Sequence, residues 1–154
     1  LFAAVDSIYD KLARLGITLL LENVPAHDNR ELGSEVGDFA ALFARYTDVQ
    51  GPVQMNIDSG HAYIMRNAAP LSKQFGTRWR YTHIDDNDGV EDLHIAPGEG
   101  SLDFKDFAAC AAKAEYHGPL MMEYAMSKVA FGMHALRDAY GAQGYMLHEL
   151  KLSE

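Results

Sequence analysis

The sequence predicts a parallel α/β fold built from four βα units, and three observations carry that prediction. Four short apolar runs, Ile17–Leu21, Val53–Ile57, Trp79–Ile84 and Pro119–Glu123, alternate with segments of helical periodicity. Strand–helix alternation of this kind implies right-handed crossovers and a parallel sheet. Ile17–Leu21 and the Leu120–Met122 stretch are near-continuously hydrophobic, as strands buried on both faces are. Each run closes on side chains able to bind a metal: Glu22 after ITLLL, Asp58 and His61 at VQMNIDSGH, His83, Asp85 and Asp86 in YTHIDD, and Glu123 after PLMM. A carboxylate or imidazole at the end of a buried strand costs free energy unless it is paired, hydrogen-bonded or metal-bound. Four in successive strands, all at the C-terminal end, point to one shared site.

The elements follow in order. LFAAVDSIYDKLARLG reads as an amphipathic helix, with Val5, Ile8, Leu12 and Leu15 on one face and Gly16 as its stop. It opens on Leu1, in a helix already under way, so the chain reads as a segment whose beginning is missing. Ile17–Leu21 is a strand, followed by the polar loop NVPAHDNRELGSE. Val36–Tyr46 is a helix with Phe39, Leu42 and Phe43 inward, and Val53–Ile57 the second strand. A helix over His61–Phe75 is expected to break near Pro70. Trp79–Ile84 is a strand and Asp85–Ser101 a polar loop rich in Asp and Gly. Asp103 caps a helix running to about Tyr116, Pro119–Glu123 is the fourth strand, and Ser127 opens a final helix or helix pair. No linker or low-complexity segment interrupts the cycle, so residues 1–154 are read as a single domain.

Composition narrows the function classes. Of 154 residues, 48% are hydrophobic, which is ordinary for one globular domain. Thirteen basic against 22 acidic residues give a net charge of −9, a balance that disfavours charge-driven binding to nucleic acid or anionic membrane. The one cysteine, Cys110, excludes an internal disulfide and reads as a small core residue of an Ala-rich helix. No apolar run approaches the roughly 18 residues of a membrane span, and there is no signal-peptide pattern. A cytoplasmic location is the default expectation.

The residues also carry a family resemblance. Glu22, the Asp58-Ser59-Gly60-His61 turn, His83, the loop Asp86-Asn87-Asp88-Gly89 through Asp92-Leu93-His94, the run Pro97-Gly98-Glu99-Gly100 with Asp103-Phe104, and Glu123 occur in that order. The set resembles the xylose isomerase-like TIM-barrel superfamily. That superfamily includes sugar and sugar-phosphate isomerases and epimerases and the endonuclease IV type of apurinic-site nuclease (AP endonuclease family 2). A complete barrel takes about 250 residues. The resemblance therefore implies its C-terminal half, strands five to eight: a half barrel.

The resemblance implies a site. Glu22, Asp58, His83 and Glu123 match the single-metal site of the family's epimerases, three carboxylates and one imidazole suited to Mn²⁺, Mg²⁺, Co²⁺ or Zn²⁺. Glu22 and Glu123 would also be the acid/base pair that moves a proton next to a carbonyl, through an enediolate whose charge a cation balances. His61, Asp92 and His94 form a second group; the matching positions hold an additional zinc in the nuclease-like members, and a similar Asp-x-His occurs in sugar isomerases without a further metal, where His61 and His94 would be loop residues that touch substrate or position the strand-end ligands. Asp92 and His94 are alternate residues, which share a face if locally extended. Gly98 and Gly100 are read as shaping the turn into the Asp103-capped helix.

The remaining chemistry-bearing residues are read as structural. They are His27, His117, His134 and His148, together with Arg66, Arg78 and Arg80. Trp79, Tyr81, Met121 and Met122 are packing residues on the same reading. Three functions compete: a metal-dependent sugar or sugar-phosphate isomerase or epimerase, a phosphodiesterase acting on abasic DNA, and an inactive fragment or binding module that keeps the ligands. Charge −9 and the absence of a basic or apolar wedge run in the Asp86–Asp103 loop favour the first. The partner expected is a small carbohydrate, with no membrane and no nucleic acid. Four units cannot close a barrel. That leaves two apolar edge strands and an inner sheet face, including Leu19, Met55 and Met121, uncovered, and a homo-oligomer is expected to hide them.

Overall fold

The computed structural model describes residues 1–26, 31–124, 134, 136–138 and 141. His27, His148 and the opening of the terminal helix at Ser127 lie outside the described residues. The chain folds as α1 (Phe2–Leu15), β1 (Leu19–Glu22), α2 (Val36–Arg45), β2 (Val53–Asp58), α3 (Ser59–Ile64), α4 (Ala68–Phe75), a 3₁₀ turn (Gly76–Arg78), β3 (Trp79–Ile84), α5 (Phe104–Lys113) and β4 (Leu120–Met122). The four strands form one sheet in the order β1-β2-β3-β4, each pair parallel. β1 and β4 are its edges.

Register sets the site. Glu22 pairs with Asn56, and Asp58 with His83. Between them the β2–β3 ladder shifts: Met55 pairs with Trp79 but Asn56 with Tyr81, which leaves Arg80 as the extra residue of a bulge. The Trp79 side chain explains the kink. Its indole Nε1 donates to Tyr81 O and to Thr82 Oγ1, both at 2.8 Å, while its ring stacks on Tyr116 with centroids 4.5 Å apart.

The core lies between the sheet and its helices. Val53, Met55, Ile57, Ile84 and Leu71 are fully buried and form one cluster with Phe39, Leu42, Phe107 and Ala108. Burying each large apolar side chain contributes about 1.5–3 kcal/mol. Along β2 the alternate residues Gln54, Asn56 and Asp58 belong to the opposite face, which is polar. This corrects the expected inner face: Leu19 and Met55 pack into the helix-covered core, and of the three only Met121, 48% exposed, lies outside it.

Local chemistry fixes the helices. A capping box starts α2: the Glu35 side chain accepts from the backbone at Asp38, and Asp38 Oδ2 accepts from Glu35 N at 3.2 Å. Asp103 caps α5 by accepting from Lys105 N at 2.8 Å. The expected break at Pro70 falls earlier, at Arg66 and Asn67, where Arg66 has φ 53°. Pro70 is the third residue of α4, where a missing N–H breaks no intrahelical bond. In α1 only Val5 is buried; Ile8 and Leu15 of the expected apolar face remain exposed. The helix is tied down by the Arg45–Asp6 ion pair and by Tyr46 Oη, which donates to Asp6 at 2.9 Å. Arg78 is buried and packs, as expected: its guanidinium donates to Tyr46 O at 2.6 Å and to Asp48 O, over the Phe43 ring. No described helix is long and apolar enough to cross a membrane.

Candidate metal centre

The C-terminal ends of the four strands meet. Glu22, Asp58, His83 and Glu123 each offer a ligand atom, and these atoms all lie within 4.8 Å of one another. His83 Nδ1 stands 3.2 Å from Glu22 Oε2 and 2.9 Å from Glu123 Oε2. Asp58 is fully buried; its Oδ1 accepts from His61 N at 2.7 Å, and its Oδ2 has no hydrogen-bond partner. Three carboxylates converging in this way repel one another unless a cation or protons intervene. The orphaned Asp58 oxygen and the oxygen-rich donor set fit a divalent cation.

A second group sits beside the first. His61, Asp92 and His94 also place ligand atoms within 4.8 Å of one another. Asp58 N-caps α3, and that cap folds His61 back over the strand end. His61 Nδ1 is 2.8 Å from Asn23 O, a group that only accepts, so Nδ1 carries the proton and Nε2 faces Asp92 at 3.2 Å. His94 repeats the arrangement, with Nδ1 at 3.0 Å from Glu123 O and Nε2 at 3.4 Å from Asp92. The expected extended backbone is not what aligns this pair: His94 has φ 46°. The left-handed turn aims its ring at Asp92.

The loop that delivers Asp92 and His94 is built on Asp86. One Asp86 oxygen accepts from Gly98 N at 2.9 Å and Gly100 N at 3.0 Å; the other accepts from Leu102 N at 3.0 Å and Asn87 N at 2.8 Å. Those glycine N–H groups are spent on a carboxylate of the chain itself, so the turn is a structural brace. Asp85, also fully buried, accepts from Gly60 N at 3.0 Å and lies 3.4 Å from His94 Nδ1. A Cβ at Gly60 would stand 2.6 Å from both Asp85 oxygens, so only glycine fits there.

Burial and charge oppose each other across the site. Burial pushes the Asp58 carboxyl up to about 6, against the pull of His61. Burial, with the Asp58 charge, pushes Asp85 up to about 7. Burial disfavours charge on His61, yet Glu22, Asp58 and Asp92 outweigh it and raise the imidazole to about 10. For Glu22 burial is again the largest influence, and His61 and His83 overcome it to hold the carboxyl below its usual range.

Sequence reading missed two side chains that organise the centre. Asn23 spans β1 and β2: its Oδ1 accepts from Asp58 N at 2.8 Å and its Nδ2 donates to Asp58 O at 3.2 Å. Asn56 lies between Glu22 and His83, 3.0 Å from each. The signal was present in β2, where V-Q-M-N-I-D alternates strictly between apolar and polar. Cys110 is half-buried on α5 with its thiol pushed up by burial, away from both clusters.

A parallel half barrel with a carboxylate–imidazole cluster at its C-terminal ends defines a class of protein, and sequence comparison supplies the family. A family model described as "Xylose isomerase-like TIM barrel" matches residues 1–145, and the chain belongs to that family. Among solved structures, a D-tagatose 3-epimerase-like protein superposes with a TM-score of 0.77 at 21% identity, over 93% of this chain and 54% of that one. The IolI protein, crystallised with a bound zinc atom, superposes with a TM-score of 0.73 at 17% identity, over 91% of this chain and 55% of that one. An uncharacterized protein of Sinorhizobium fredii is 33% identical over 116 residues, 75% of this chain and 37% of its own length. The chain thus spans about half, or less, of the relatives it matches.

Proposed function

We propose that this chain is the metal-binding half of a sugar or sugar-phosphate isomerase or epimerase. One observation carries the reading: Glu22, Asp58, His83 and Glu123 bring ligand atoms within 4.8 Å of one another from four successive strand ends. These four residues would hold Mn²⁺, Mg²⁺, Co²⁺ or Zn²⁺. Such a cation supplies the positive charge that stabilises an enediolate.

The chain's own groups do the rest. Glu22, ionised and held by its imidazole neighbours, is placed to take a proton from the carbon next to a carbonyl. Glu123, on the opposite edge strand, is placed to return one. His61, Asp92 and His94 contact substrate oxygens or hold a second cation. Supporting this, both imidazoles donate through Nδ1 to backbone carbonyls, which turns their Nε2 atoms to Asp92. The substrate is a small carbohydrate.

The test is incubation with ketoses and ketose phosphates in heavy water with Mn²⁺ or Co²⁺. Deuterium at the carbon next to the carbonyl, abolished by EDTA, is the expected result. EDTA-sensitive nicking of abasic duplex DNA, without deuterium exchange, would favour the nuclease instead. Metal binding with neither activity would leave a binding module.

A further inference from the structure

We propose that Asn56 is a positioning residue for the cation site, its amide holding the Glu22 carboxylate in the orientation the cluster requires. The proposal rests on the reading of Glu22, Asp58, His83 and Glu123 as a cation site. Asn56 is 3% exposed, in the middle of the central strand β2. Its Nδ2 donates to Glu22 Oε2 at 3.0 Å and stands 3.0 Å from His83 Nδ1. An amide nitrogen has two hydrogens and no acceptor. His83 Nδ1 has one lone pair, which a cation would take, whereas a carboxylate oxygen can accept from the amide and ligate at once; the bond to Glu22 is the one the amide keeps when the cluster is loaded. A flipped amide would aim an oxygen at a carboxylate, so the orientation is determined.

The other end of the amide shows what the residue is there for. Asn56 Oδ1 is buried and has no hydrogen-bond partner. An unsatisfied buried acceptor is unfavourable. Leucine, of similar shape, would avoid that cost at this position. The polar residue is explained by its donor half, which serves the Glu22 carboxylate. Backbone placement agrees. Asn56 is the register partner of Glu22, and the bulge beside it sets Asp58 against His83, so the amide sits one step below the converging ligands.

The experiment is a Co²⁺ titration of the wild-type chain, Asn56→Leu and Asn56→Ser. It is followed by competition with a chromophoric chelator and by the visible spectrum of the bound ion. Thermal unfolding in EDTA runs in parallel. Asn56→Leu is expected to bind Co²⁺ about 10–100-fold more weakly. Its spectrum should change, and its unfolding midpoint in EDTA should be unchanged or raised. Asn56→Ser, whose shorter side chain cannot reach Glu22, should also bind more weakly, and it decides the matter if the leucine variant does not fold. A folded variant that binds within twofold of wild type with the same spectrum overturns the role of Asn56 alone. Unfolding of both variants assigns Asn56 to the fold instead. A wild-type chain that binds no Co²⁺ overturns the cation site and this role together.

Discussion

Replacing Asp58 by Asn should stabilise the metal-free chain while abolishing its response to metal. Asp58 is fully buried, and burial lifts its carboxyl from the ordinary 3.8 to about 6. A raised folded-state value means that the folded chain holds the proton more tightly than the unfolded chain. Stability is therefore lost as pH climbs from about 4 through about 6, and above that the charged carboxylate is a standing cost. A rise of two units corresponds to about 3 kcal/mol. The Asn variant keeps the oxygen that accepts from His61 N at 2.7 Å, so the cap on α3 survives. Without the charge, the unfolding midpoint at pH 8 in EDTA should rise by about 6–12 °C for a chain of this size. At pH 4 the difference should vanish. Wild type should gain about 3 kcal/mol from a cation at a hundred times its Kd. The variant should gain little. Thermal unfolding by circular dichroism at both pH values, with EDTA or Mn²⁺, reads all four quantities. A variant less stable than wild type at pH 8 in EDTA, or a wild type indifferent to every divalent cation, would refute the reasoning.

Three further predictions follow from the same geometry. His61 and Asp85 are raised to about 10 and about 7 alongside Asp58, so protons stabilise the metal-free fold at all three. Its unfolding midpoint in EDTA should fall as pH rises from about 5 to about 9, while stabilisation by added Mn²⁺ grows; a rising midpoint in EDTA would contradict this. Glu123→Gln should cut deuterium exchange into a ketose at least 100-fold, within the usual range for a lost acid or base. Retained Mn²⁺ binding would separate the acid/base role from ligation, and undiminished exchange would remove Glu123 from the chemistry. β1 and β4, the outer strands of the sheet among the described residues, should make the chain a homodimer or higher oligomer by light scattering at low micromolar concentration. A stable monomer that binds no apolar dye would sink that expectation.

The parts legible in sequence are those where one residue type conflicts with its surroundings. Glu22, Asp58, His83 and Glu123 each end an apolar run, and the structure brings all four together. Face assignment was not legible, because a run such as Ile17–Leu21 has no polar period to say which side meets the helices. Leu19 and Met55 were thus placed on the wrong face, although Gln54, Asn56 and Asp58 mark the other side of β2. Asn23 and Asn56 were hidden for a related reason: amides beside ionisable groups read as interruptions, and the role of Asn56 depends on register across the bulge at Arg80, that of Asn23 on the approach of β1 to β2. Asp92 and His94 do come together, through a left-handed turn at His94 that nothing in the sequence marks.

One divalent cation should bind among Glu22, Asp58, His83 and Glu123. Anomalous diffraction from crystals soaked in Mn²⁺ or Zn²⁺ tests it directly. The expected result is a single strong peak within roughly 2.0–2.6 Å of a ligand atom from all four residues. A map with no peak there, or with a peak only among His61, Asp92 and His94, would contradict it.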